Sequence, residues 1–109
     1  MVSVVNPNKA KGTNWESRIV AYLQANGFPW AERRALSGAL DKGDINLPGV
    51  VIEAKNQKQM NLAAWVDEMT KERANAHVEI GAVVFPRRNK SVAKAYVVMQ
   101  FDQFVEMIR

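Results

Sequence analysis

One hundred and nine residues suffice for one domain with a single core and are too few for a second independent one. Apolar residues make up 48% and charged residues 24%, the balance of a folded globule, and the lack of cysteine excludes disulfides, thiolate metal sites and cysteine nucleophiles. Fifteen Lys and Arg against eleven Asp and Glu leave a net charge of +4, which favours an acidic partner such as nucleic acid without making the chain a polycation.

No stretch approaches the ~20 apolar residues of a membrane span, and the region after Met1 lacks a charged segment followed by a long apolar run. A cytoplasmic location without membrane contact is the expectation. Residues 1–12 contain Asn6, Pro7, Asn8, Lys9 and Lys11 without a sustained period and read as a flexible, extended basic arm, leaving 13–109 as the folded domain.

Trp15, Ile19, Tyr22 and Leu23 recur at helical spacing and Asn26-Gly27 supplies a stop, which predicts a helix over 14–26. Thr13-Asn14-Trp15-Glu16 reads as a capping box in front of it. Glu16 also lines up with Val20 and Leu23 beside the apolar stripe, so its carboxylate borders the core-facing side. Phe28 to Arg34 reads as a strand, because Pro29 disfavours helix and Trp30 favours extended chain, and Ser37-Gly38 with Lys42-Gly43 marks a loop. Asp44 to Leu47 and Val50 to Lys55 flank the turn pair Pro48-Gly49 and form a hairpin. Leu62, Trp65, Val66 and Met69 mark a second helix over 61–76, and their stripe goes either to the core or to a dimer contact. Gly81 ends the connection, Ala82 to Phe85 and Ala95 to Met99 read as strands around a basic loop, and Phe101 to Ile108 as a closing helix. The order α-β-β-β-α-β-β-α describes an α/β domain, a mixed central sheet flanked by helices.

Along a strand the side chains alternate, so Val51, Glu53 and Lys55 share one face and Val50, Ile52 and Ala54 the other. With Pro48-Gly49 as central turn residues, cross-strand partners have numbers summing to 97, which sets Asp44 opposite Glu53 with Cβ atoms ~5 Å apart. Opposed carboxylates on a half-buried face repel unless a cation lies between them. Mg²⁺ suits such oxygen ligands, keeps several waters and takes further ligands from phosphate; the Ala54 carbonyl offers one more oxygen, and Lys55 on the same side can hold the attacking water.

Gly43-Asp44 and Val50-Val51-Ile52-Glu53-Ala54-Lys55, after an upstream Lys11-Gly12 and Glu16, resemble the PD-(D/E)xK nucleases and most closely the archaeal-type Holliday junction resolvases. The matching order is Lys11-Gly12, Glu16, Gly27-Phe28, Arg33 with Arg34, Ser37, Asp44, then Glu53 with Lys55, about residues 11–55. Gly43 stands where the motif's name has Pro. The resemblance implies a restriction-endonuclease-like fold and a homodimer that binds branched DNA. It also implies cleavage of phosphodiester bonds with Mg²⁺, or Mn²⁺ in its place, leaving 5′-phosphate and 3′-hydroxyl ends. Asp44, Glu53, Lys55, Glu16 and Ser37 would be the catalytic residues, with Asp44, Glu53, Ala54 and Glu16 around the metal. A general or nicking nuclease of the same superfamily, or a non-catalytic DNA-binding module, is the alternative.

Lys9 and Lys11 on the arm, Arg33 and Arg34, and Arg87, Arg88 and Lys90 in the loop are candidate phosphate contacts. Arg33 and Arg34 face opposite ways on a strand, so at most one shares the active face. His77, the sole histidine, is placed at a helix end rather than in catalysis.

Overall fold

The computed structural model describes residues 7–34 and 43–109, with side chains from Lys11 onward. Ser37 and the side chain of Lys9 therefore lie outside the described residues.

Helix α1 runs over Pro7–Ala25, starting within the segment expected to be an arm. Pro7 occupies its first position, where the missing N–H is an orphan in any case and the fixed φ fits a helix, and Lys9, Ala10 and Lys11 are good helix formers. This overturns the capping box: Thr13 is interior to the helix and Glu16 has no N-terminus to cap. The end falls where Asn26-Gly27 placed it, with the Phe28 N–H returning to the Leu23 carbonyl at 3.0 Å.

The strand expected from Phe28 shrinks to β1, Glu32–Arg33. Pro29 sits in a turn instead, closed by the Ala31 N–H on the Phe28 carbonyl at 3.0 Å, with the Phe28 and Trp30 rings edge to face at 6.1 Å. Strands β2 (Ile45–Leu47) and β3 (Val50–Ala54) form the hairpin, and Ile45↔Ile52, Asn46↔Val51 and Leu47↔Val50 all sum to 97. Gly49, at φ 78°, takes the left-handed position that a Pro-Gly type II turn requires. Helix α2 covers Leu62–Ala76; the exposed His77 caps it in the left-handed conformation, its N–H on the Ala74 carbonyl. Strand β4 (Ile80–Phe85), which already includes Gly81, a 3-10 turn (Val92–Lys94), β5 (Tyr96–Val98) and helix α3 (Phe101–Ile108) complete the chain.

The five strands lie in sequence order, β1 to β5, parallel between β3 and β4 and antiparallel elsewhere, giving a mixed sheet flanked by three helices. Alternation along β3 splits the core. Ile52, with Ile45 and Leu47, packs under Trp15, Ile19 and Val20 of α1, while Val51 and Val83 pack under Trp65 and Met69 of α2. Trp15 also donates its indole N–H to the Val84 carbonyl at 3.1 Å. Trp65 and Met69 are thus spent on the core, whereas Leu62 of the same stripe stays exposed. Among the described residues, no helix is long and apolar enough to cross a membrane.

Candidate metal centre

Because Ile52 points to α1, its neighbour Glu53 must point to α2, and it enters that side almost completely buried at 4% exposure. Extending the hairpin register by one step brings Asp44 beside it: the Asp44 N–H donates to the Ile52 carbonyl at 3.0 Å, and Asp44 Oδ2 accepts the Ala54 N–H at 2.8 Å. The chain can turn here because Gly43 has φ 96° and lies under Val51 and Glu72, where a Cβ would stand 3.0 Å from Val51 Cγ1 and 3.4 Å from Glu72 Oε2.

Asp44, Glu53, Ala54 and Lys55 open into one cleft of about 520 Å³, together with Lys11, Gly12 and Glu16 of α1 and the Asn56-Gln57-Lys58 loop. Four separate elements of the sequence pattern therefore meet at one place. The cleft runs on into a second groove that shares Lys11, Asn56, Gln57 and Lys58 and adds Arg88. Arg87 and Lys90 lie exposed in the same loop as Arg88.

Behind Glu53, α2 supplies two further carboxyls. Glu53, Glu68 and Glu72 each offer an oxygen within 4.8 Å of the others, close enough to bind a metal ion, and among the described residues they are the one set of three that does. The expected set of Asp44, Glu53 and Glu16 is looser, because Glu16 Oε2 is drawn to Arg33 Nε at 3.0 Å. Arg34 turns away to Asn46, 3.2 Å from its Oδ1. Glu68 and Glu72 escaped the sequence reading although a signal exists: Glu72 follows Trp65 by seven and Met69 by three, an acid on the buried stripe of a helix.

Lys55 closes the cluster, its Nζ 2.8 Å from Glu68 Oε2 and 3.4 Å from Glu53 Oε1. Burial lowers the proton affinity of this ammonium, but the Glu68 and Glu53 carboxylates outweigh it and hold the group above its ordinary value. The acids are pushed up as well: Glu53 to about 9, by burial and then by the Glu72 carboxyl, and Asp44 to about 8, by burial and then by the charge of Glu53. Glu53 Oε2 is buried without a hydrogen-bond partner. A buried carboxylate oxygen facing other carboxyls is satisfied by a proton or by a cation, and an all-oxygen donor set fits a hard divalent ion such as Mg²⁺ or Mn²⁺. Comparisons with protein-family models, with curated proteins and with solved structures gave no match, so the geometry of this cleft alone carries its interpretation.

Proposed function

We propose that this chain is a metal-dependent DNA endonuclease of the PD-(D/E)xK type with a restriction-endonuclease-like sheet, acting on branched DNA such as a four-way junction. The observation that carries this reading is the opposition of Asp44 and Glu53 across the hairpin, with Lys55 on the same side and both carboxyls opening into the cleft that α1 closes with Glu16. A module that only bound DNA would gain nothing from buried acids facing a polyanion.

Asp44, Glu53 and the Ala54 carbonyl would hold the divalent ion on the cleft side, with Glu16 bordering it and Glu68 and Glu72 supporting Glu53 from behind. When bound, the ion supplies positive charge for the phosphate oxygens and the leaving oxygen. Lys55, kept protonated between Glu68 and Glu53, orients a water toward the phosphorus and offsets the charge gathering on the phosphate. Lys11, Lys58 and Arg88 along the two joined grooves give the phosphate backbone a cationic path past the carboxyls.

The test is a labelled immobile four-way junction and a linear duplex of the same sequence, each incubated with Mg²⁺ or Mn²⁺. The parent should cut the junction and spare the duplex, and Glu53→Ala or Asp44→Ala should lower the rate by orders of magnitude while DNA binding persists. Equal cutting of both substrates would leave a general or nicking nuclease with the same centre. Undiminished cutting by folded Glu53→Ala would refute the site.

A further inference from the structure

Strands β3 and β4 run parallel, and both end at the groove that continues the metal cleft. Their register sets Glu53 beside Val83 and Ala54 beside Val84. The Lys55 N–H on the Val84 carbonyl at 3.0 Å carries the ladder one step further, to Lys55 beside Phe85. Val83 faces α2, so Phe85, two residues on, faces it too and packs against Trp65 with ring centroids 5.8 Å apart. Lys55, which orients the water in the proposed reaction, and an aromatic ring are therefore neighbours on one side of the sheet, ~4.8 Å apart across the strands.

The groove holds about 370 Å³, within the ~300–1,000 Å³ of sites that enclose small ligands. Phe85, Pro86 and the 52% exposed Met60 give it an apolar wall. Asn56 and Gln57, with donors and an acceptor on each amide, line both this groove and the metal cleft. Its charged residues are Lys11, Lys58 and Arg88; among the described residues no acid lines it, whereas Glu16, Asp44 and Glu53 line the cleft beside it. A paired duplex offers phosphate and sugar to the cations but leaves the apolar wall unused, because its bases are stacked inside. An unstacked base uses all three parts: its face meets the ring, its edge the amides, and its flanking phosphates the lysines and the arginine.

We propose that this groove receives one unstacked nucleobase of the strand whose phosphate lies at the metal centre, with Phe85 as its stacking partner. The proposal rests on the nuclease reading and gives its selectivity a physical origin. Extruding a base from a duplex costs stacking and pairing, and the cost is least where a branch point has already loosened the base.

The test is fluorescence anisotropy in chelator-treated buffer, where no divalent ion supports cutting, with a labelled single strand and a strand of the same length that is abasic throughout. The parent should bind the single strand on the order of tenfold more tightly than the abasic one, which keeps every phosphate. Phe85→Leu keeps an apolar side chain against Trp65 and removes the ring face. It should bring the two strands to within about twofold of each other without changing the affinity for the abasic strand. Should that variant fail to fold, Met60→Ser, at an exposed position, should still narrow the difference. Equal affinity of the parent for both strands, failure to bind either, or a preference for bases that survives both variants would overturn the proposal. Deoxyadenosine monophosphate that displaces the strand at an equal concentration of nucleotide would overturn it too, in favour of a free nucleotide as occupant. Cleavage assays with Mg²⁺ keep the two readings apart: a base preference that depends on Phe85 in a protein that cuts nothing keeps the pocket and removes the nuclease, while cutting of the abasic strand as fast as the normal one does the reverse.

Discussion

Replacing Glu53 by Gln keeps the side chain's shape and removes its ability to ionise inside a cluster of acids. In the folded protein the carboxyl titrates at about 9 against 4.5 for the free group, chiefly through burial and the Glu72 carboxyl, with Asp44, Glu68 and Lys55 also facing it. A raised folded value means that the contribution to stability is fully present below 4.5 and is lost as the pH climbs toward 9. At pH 7 the folded chain holds a proton that the unfolded chain has released, and the interval from 4.5 to 7 at ~1.4 kcal/mol per unit amounts to ~3 kcal/mol. Glu53→Gln should therefore be more stable than the parent by up to ~3 kcal/mol at pH 7 in chelator-treated buffer, by under ~1 kcal/mol at pH 5, and by more again at pH 9. Urea unfolding at the three pH values measures this directly. Saturating Mn²⁺ should reverse the order, because the ion binds the folded parent and stabilises it while the amide is a poor ligand. A glutamine variant less stable than the parent at every pH, or a difference independent of pH, would refute the account of a buried, proton-holding metal centre.

Lys55→Ala should lower cleavage ~10²-fold or more. Calorimetric titration should show divalent-ion binding retained, since an ammonium is not a metal ligand. Glu16→Ala should cost activity with unfolding free energy changed by under ~0.5 kcal/mol, because α1 starts at Pro7 and the Arg33 partner is half exposed; a loss of ~1 kcal/mol with full activity would restore the capping role. Gly81→Ala should destabilise by ~1–3 kcal/mol in urea unfolding, since the added Cβ would lie 2.5 Å from Sδ of the fully buried Met69, whose side chain must then shift within the core.

The local terms were legible in the sequence because they act over a few residues. The Pro48-Gly49 turn fixed the hairpin register, period-two alternation put Glu53 and Lys55 on one face, and helical periodicity bounded α2 and α3 within a residue. Where local signals competed, one reading failed: Thr13 to Glu16 matches a helix start, yet the proline and helix formers upstream carry the helix back to Pro7. Pro29 was rightly read as a helix breaker, but whether the chain then extends or turns depends on the Phe28–Trp30 contact and the seat of Ala31 in the core. Partners far apart along the chain were beyond reach. That Glu68 and Glu72 stand behind Glu53, and that Arg33 draws Glu16, follows from how α1 and α2 pack on opposite faces of β3. The outward stripe of α3, in which Phe101, Phe104 and Ile108 stay exposed, belongs to the same class. Its periodicity was plain, but periodicity tells which residues share a face and not which way that face points; the Gln103 carboxamide at Gly81 decided it.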